Sequence, residues 1–376
     1  MTGGTEFQTM SLVKVLVCDG YDVTVCCFYD FDESMVVAME KAGAKVKLLR
    51  LNRQDGLLSL LRTLVAYFRY EKPDVCHIQY MAPGFIAVVA ARLAGIPIVF
   101  ATVHQPGHPY GKKAHFLLRL AAKLCAQFIC ISRSVEKSWF GRSTVFDPHV
   151  QKAGHGHCTI FNAVDLKAIV AASESSYKSE IRNRYGIASG LIIGCVARLR
   201  VEKGQKTLIE AFAEVVNTIP AVQLLMIGDG PDKSELLRLT EVLGVSQNVI
   251  WLGRQNQADV YKLYSVMDMV VVPSLFEGFG LTAAEAMAAG LPVIASDIDG
   301  LAEVVLDGES GILFPAGNSR ALAAPLILLL NNPQLAKQFG KNGQARVGKY
   351  FMLEQFSESM LALYGQYIGK TDRTDI

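Results

Sequence analysis

The sequence predicts an α/β protein built from two doubly wound parallel-sheet domains in tandem, and three observations carry that reading. Short β-branched runs alternate with helix-period segments along the whole chain, as βαβ units require. At 376 residues the chain is too long for one ordinary α/β core and fits two domains of about 150 to 200 residues each. The composition is 51% hydrophobic and only 19% charged, which excludes a disordered chain and supplies sheets covered on both faces.

The first series of strands reads as "DVTVCCF" (22–28), "KVKLLRL" (45–51), "DVCHIQY" (74–80), "PIVFATV" (97–103) and "QFICIS" (127–132). A second series follows with "LIIGCVA" (191–197), "VQLLMIG" (222–228), "VIWLG" (249–253), "MVVVPS" (269–274) and "PVIAS" (292–296). The joint falls near "FNAVD" (161–165), just upstream of the polar "SESSYKSE", so the domains are expected over residues 1–163 and 164–352. The segment "LEQFSESMLALYGQYIGK" (353–370) has the pattern of an amphipathic helix. The longest apolar stretch, "FIAVVAARLAGIPIVFATV" (85–103), contains Arg92, Gly95 and Pro97 and breaks into a helix and a strand. The opening "MTGGTEFQTM" lacks the charged and apolar regions of a signal peptide. Eight scattered cysteines without a C-x-x-C pair read as reduced core residues, and the expected location is the cytoplasm.

Charge is unevenly shared. Residues 1–165 carry 18 Lys+Arg against 13 Asp+Glu, whereas residues 166–376 carry 19 against 22. Neither half is basic enough for sequence-independent binding of nucleic acid. The helix "KKAHFLLRLAAKLC" (112–125) sets Lys112, His115, Arg119 and Lys123 on one face, with Leu117, Leu120 and Leu124 expected behind it. That face reads as solvated, or as a peripheral contact with an anionic membrane.

In open α/β sheets ligands gather at the carboxyl ends of strands, so the residues just after each strand matter most. After "MVVVPS" come Glu277, Gly278, Phe279, Gly280 and Leu281, with a helix opening near Thr282. Glycines allow close approach of a ligand, and a helix start presents free N–H groups suited to phosphate. Glu277 and Glu285 would then face sugar hydroxyls as acceptors. Two other readings stand beside this one. Thr282-x-x-Glu285 is a capping box, and "GFGLTA" is a loose dinucleotide fingerprint whose first glycine stands five residues past "VVVP". In "CVARLRVEKGQKTLIEAF" a strand ends at Arg198 and Lys203 precedes a helix. Together they form either a diphosphate clamp or a pair of solvated cations.

In the first domain "FATVHQPG" puts His104 directly after a strand, while His77 lies within one and is expected in the core. "HGHC" (155–158) lacks zinc spacing, and no metal site is expected.

Taken together, "ARLRVEKG" (197–204), "GDGP" (228–231), Glu277-x7-Glu285, "EAMAAGLPVIAS" and "DGESGILFP" in the second domain, with "GGTE" (3–6), "VHQPG" and "ISRS" (131–134) in the first, resemble the retaining family-4 glycosyltransferases of the GT-B fold. The resemblance implies two Rossmann-like domains facing a cleft, the carboxy-terminal helix (353–376) crossing back to the first. It implies transfer of a UDP- or GDP-sugar's glycosyl group, with retained anomeric configuration, to a glycan or lipid-linked acceptor in cell-surface polysaccharide or glycolipid synthesis. Carried over by position, Arg198 and Lys203 look like the diphosphate clamp and Glu285 like the acceptor for the ribose. Glu277 and the backbone of Gly278, Phe279, Gly280 and Leu281 would hold the donor sugar. His104 would meet that sugar from the first domain, and Gly3 and Gly4 the phosphates. No metal and no cofactor is implied beyond the nucleotide sugar, and no D-x-D signature stands near these elements. Family members place a strand before the "GG" loop, which has no counterpart in Met1–Gly4. That departure motivates a second reading, a catalytically silent nucleotide-sugar-binding protein. A nucleotide-sugar epimerase of the same architecture is a third.

Overall fold

The computed structural model describes residues 3–80, 84–150, 156–174 and 177–368. The chain divides into two compact units, Met1–Asn162 with Leu353–Ile376, and Ala163–Met352. The second unit is thus inserted into the first.

The first unit runs α1 (Gly4–Cys18), β1 (Thr24–Cys27), α2 (Glu33–Lys41), β2 (Lys45–Leu48), α3 (Gly56–Glu71), β3 (Val75–Tyr80), α4 (Gly84–Leu93), β4 (Ile98–Val103), α5 (Lys112–Leu124), β5 (Gln127–Cys130), α6 (Arg133–Phe140) and β6 (Gly156–Thr159). The second holds α7 (Leu166–Ala172), α8 (Lys178–Tyr185), β7 (Ile192–Val196), α9 (Gln205–Thr218), β8 (Gln223–Ile227), α10 (Lys233–Val242), β9 (Val249–Gly253), α11 (Gln257–Leu263), β10 (Met269–Val272), α12 (Leu281–Ala288), β11 (Val293–Ser296), α13 (Asp299–Val304), β12 (Gly311–Phe314), α14 (Ser319–Asn331) and α15 (Pro333–Tyr350). Helix α16 (Leu353–Tyr367) returns to the first unit.

In the second unit six parallel strands lie in the order β12-β11-β10-β7-β8-β9. Strands β7, β10 and β11 are apolar and almost wholly buried, as a sheet covered by helices on both faces demands. Strand order reverses between β7 and β10, so the connections leaving these two strands run to opposite faces and part at their carboxyl ends. Helix α12 is alanine-rich because α15 presses against its end. A Cβ on Gly340 would meet the Gly290 carbonyl oxygen at 2.0 Å, and one on Gly343 would meet Met287 Cγ at 3.1 Å. The ends of this unit are tied together, the Val164 N–H donating to the Phe351 carbonyl at 2.9 Å beside a parallel bridge from Val164 to Met352.

The first unit is also parallel, but its strands fall into two sheets, β1-β2 and β3-β4-β5-β6. The sheet of the second unit begins β7, α9, β8; the first unit begins α1, β1, and the position corresponding to β7 holds no strand among the described residues. The consequence is visible in burial. Strands β4 and β5 are buried almost throughout, whereas β3 is mostly half-buried and β1 is half-buried to exposed. Helix α16 packs on α1 and inserts Tyr364 beside Phe100, ring centroids 5.1 Å apart. The Tyr364 hydroxyl lies 2.8 Å from His77 Nδ1, and Thr102 Oγ1 lies 2.7 Å from His77 Nε2, which accounts for a core histidine.

One expected face is corrected. On α5 the buried residues are Leu118, Ala121 and Ala122, while Leu117, Leu120 and Leu124 are half-buried. Leu120 opens with the cations rather than behind them. Among the described residues no helix is long and apolar enough to cross a membrane.

Candidate active site

The loop after β7 and the loop after β10 are locked to each other by a glycine. Gly204 sits in the left-handed region (φ +66°), and a Cβ there would fall 1.9 Å from the Pro273 carbonyl oxygen. The Leu275 N–H donates to the Glu202 carbonyl at 2.9 Å. This contact brings Lys203 to Glu277, its Nζ 2.5 Å from Oε2, across 74 positions of sequence. Ser274 Oγ lies 3.5 Å from the same carboxylate oxygen. Both partners of the pair are about four-fifths covered, so the ion pair is less screened than one at an open surface.

Arg198, two residues past β7, is half-buried and forms no ion pair among the described residues. Its carbonyl accepts from Gln205 Nε2 at 2.8 Å, which fixes the backbone while leaving the guanidinium for a ligand. Close packing holds this loop from behind. A Cβ on Gly228 would stand 1.9 Å from the Ala197 carbonyl oxygen and one on Gly230 would stand 2.2 Å from that of Leu199, so "GDGP" supports the cationic loop by contact.

The glycine-rich turn is equally tight. Gly280 is left-handed (φ +99°) and caps α12, with Leu301 filling the space a side chain would need. A Cβ on Gly300 would lie 2.4 Å from the Glu277 carbonyl oxygen, so α13 braces the turn. Phe279 is buried against Phe351, 5.3 Å between centroids, so of this residue only the backbone is open to a ligand. Neither α9 nor α12 has an acidic residue in its first turn or a side-chain cap, and both starts are free for an anion.

The capping-box reading of Glu285 is overturned. The cap of α12 is Gly280, and Thr282 Oγ1 instead donates to the Val196 carbonyl at 3.2 Å, pinning α12 to β7. Glu285 accepts from the Tyr264 hydroxyl at 3.1 Å and makes no ion pair among the described residues. Burial pushes its carboxyl up to about 7, opposed by hydrogen bonds from Tyr264 and Gln257. Sequence reading missed Tyr264 and Gln257. The only sequence signal was Tyr261 and Tyr264, three apart on one helical face.

The remaining candidates lie in the first unit. His104 directly follows β4 and is nine-tenths buried, its Nε2 2.7 Å from Gln79 Oε1, beside a small cavity also lined by Gln8, Thr102 and Asn162. Burial lowers its pKa to about 4, so the ring is neutral at neutral pH. Gly3 donates its N–H to Glu6 Oε2 at 2.9 Å and stands with Gly4 at the start of α1. Of "HGHC", His155 lies outside the described residues, and among the described residues no three His, Cys, Asp or Glu side chains group as metal ligands.

A groove on α5 is lined by Tyr110, Lys112, His115, Phe116, Arg119 and Lys123, with Phe116 two-thirds exposed. No Asp or Glu occurs between Asp74 and Glu136. Lys112, Lys113 and Lys123 have no acidic partner among the described residues.

Residues 178–346 match the family described as glycosyl transferases group 1, and residues 2–142 match the family described as glycosyltransferase family 4. The phosphatidyl-myo-inositol mannosyltransferase of Mycobacterium leprae (strain TN) is 38% identical over 359 residues, covering 93% of this chain and 89% of that protein. The N-acetyl-alpha-D-glucosaminyl L-malate synthase of Bacillus anthracis is 30% identical over 314 residues, covering 82% and 78%. Among solved structures, Anabaena Alr3699/HepE in complex with UDP-glucose superposes with a TM-score of 0.81 over 97% of this chain and 96% of that one, at 21% identity. That likeness is one of fold.

Proposed function

The chain belongs to the group 1, family 4 glycosyltransferases of GT-B fold, and from that premise we propose that it transfers a sugar from a nucleotide diphosphate sugar, with retention and without metal, to a lipid-linked or glycan acceptor. The observation that carries the reading is the junction of Lys203 and Glu277, with the unpaired Arg198 on the same loop. A cation pair beside a free helix start suits a diphosphate, and the carboxylate of Glu277 suits a sugar hydroxyl.

In this scheme Arg198 and Lys203 stabilise charge on the leaving diphosphate as the glycosidic bond breaks, the part a metal plays elsewhere. Glu277 and the backbone of Gly278 to Leu281 orient the sugar, and Glu285 accepts the ribose hydroxyls. The acceptor enters on the face the diphosphate leaves, its proton passing to a phosphate oxygen, so no protein nucleophile is assigned. His104, Gly3 and Gly4 join from the first unit on the strength of the family resemblance, His104 as a neutral hydrogen-bonding group. UDP is the first nucleotide to test, since the fold neighbour binds UDP-glucose.

The relative acting on phosphatidyl-myo-inositol and the acid-free cationic groove of α5 both favour a lipid acceptor reached at the inner face of a membrane. A role in cell-surface glycolipid or polysaccharide synthesis follows from that placement. The second reading, a silent nucleotide-sugar-binding protein, is favoured by the divided sheet of the first unit.

Thermal stabilisation by UDP-, GDP- and ADP-sugars tests the donor class, since a ligand selective for the native state raises apparent stability. A shift with one nucleotide that Lys203→Ala abolishes supports the scheme. No shift in a folded protein removes it. Stabilisation without transfer to any lipid or glycan acceptor favours the silent reading.

A further inference from the structure

Glu285 is held unusually for a group expected to bind a diol. It is half-buried, one turn into α12, with no cation against it among the described residues. The groups that face it are neutral. Tyr264, 1% exposed, donates to Oε2 at 3.1 Å from the turn after α11. Gln257, on α11, holds the Tyr261 hydroxyl at 2.8 Å through Nε2 and favours the ionised carboxylate. Asp165, ahead of α7, acts electrostatically on Tyr261.

With Oε2 held by Tyr264, the carboxylate is fixed in direction. Ionised, it accepts both hydroxyls of a vicinal diol. Protonated, it loses an acceptor site and turns one oxygen into a donor. We infer that Tyr264 is the positioning residue of the nucleotide site, orienting Glu285 and favouring its ionised form for a ribose diol. The inference rests on reading Glu285 as the ribose acceptor. Its carboxyl, raised to about 7 by burial, is only partly ionised at neutral pH even with the Tyr264 hydrogen bond in place. Without that bond the ionised form loses support and the ionisation moves to higher pH.

The experiment is calorimetric titration of the full chain with UDP, GDP and ADP, and with the 2′,3′-dideoxy form of whichever binds, from about pH 6 to about pH 9, on wild type and Tyr264→Phe. Wild-type affinity is expected to rise through about pH 7 and then level. Tyr264→Phe is expected to bind about five- to tenfold more weakly near neutrality, its rise displaced upward and the gap narrowing at the alkaline end. Its KM for the donor rises while kcat holds, since the sugar and phosphate contacts are untouched. The dideoxy nucleotide should keep only the pH dependence of its own terminal phosphate, identical in wild type and variant. Gln257→Ala, at a less buried position, should move the profile in the same direction and serves if Tyr264→Phe does not fold.

A Tyr264→Phe protein with wild-type affinity and an unmoved profile overturns the inference and leaves the transferase reading standing. Equal weakening of the diol and dideoxy forms reduces Tyr264 to a packing residue. Failure of all three nucleotides to bind wild type removes the donor reading and this inference with it.

Discussion

Lys203 Nζ and Glu277 Oε2 meet at 2.5 Å because Gly204, between the lysine and α9, allows the loop to touch the Pro273 carbonyl. The lysine proposed to meet a diphosphate is therefore already ion-paired with the carboxylate proposed to meet the sugar. Removing the lysine leaves a largely covered carboxylate alone. Lys203→Ala should lower kcat/KM for the donor by about a hundredfold or more, with a stability loss of only about 1–2 kcal/mol. Steady-state kinetics and thermal melts, run side by side, check the two effects separately.

Gly204→Ala tests the loop contact itself. The substitution forces a left-handed alanine and places its Cβ 1.9 Å from a carbonyl oxygen, whereas Gly244 has a similar φ (+69°) and nothing within 4 Å. Gly244→Ala should cost about 1 kcal/mol and Gly204→Ala about 3 or more, with donor turnover lost in the latter alone. Urea unfolding of both variants measures the gap. Equal costs would mean that the loop contact adds nothing to backbone strain.

Glu285 sets a pH dependence of stability whose sign is fixed by its raised value. The folded group holds its proton up to about 7, whereas the unfolded carboxyl releases it near the ordinary value of 4.5. Stability is then undiminished at acid pH and declines between those two values as pH rises. Glu285→Gln should accordingly gain on wild type between about pH 4 and about pH 8, by about 2 kcal/mol. Melts of both proteins at the two pH values decide it.

His77 and His104 act in the opposite sense. Burial lowers His77 to about 3 and His104 to about 4, so the unfolded chain binds protons that the folded chain refuses. Stability should fall as pH drops from about 6.5 toward about 4, by on the order of 2 kcal/mol per histidine. His104→Gln should flatten that slope, which denaturant midpoints across the range would reveal.

The cationic face of α5 predicts sedimentation with vesicles rich in phosphatidylglycerol and not with phosphatidylcholine alone. Lys112→Glu with Lys123→Glu should weaken that binding at least tenfold, since each lysine near an anionic surface contributes about 1 kcal/mol. Retention of vesicle binding by the double variant would leave α5 as a solvated face.

What the sequence made legible was whatever is written in consecutive residues. The runs "LIIGCVA", "MVVVPS" and "PIVFATV" became β7, β10 and β4 because strands buried on both faces must be apolar throughout. Strand β6, "GHCT", was missed because it has neither alternation nor a β-branched run and pairs only because β5 is beside it. The capping-box alternative at Thr282-x-x-Glu285 falls because it is a local pattern, and Gly280 two residues earlier takes the cap. The partners of Glu285 escaped because Tyr264 reaches it from 21 positions away, through packing of α11 that no short motif encodes.

The chain leaves the first unit at Asn162 and re-enters it at Leu353, and the Val164 to Phe351 hydrogen bond pins those two points together. Folding of the inserted unit therefore closes a loop that would otherwise cost about 4–5 kcal/mol in chain entropy before α16 could find α1. The order of assembly follows from connectivity. The insert carries its own six-stranded sheet, whereas the unit around it takes Tyr364, the partner of His77 and Phe100, from the helix beyond the insert. The insert is placed to act as the staple of its host: unfolding it should set α16 adrift, while loss of α16 should leave the insert's sheet intact.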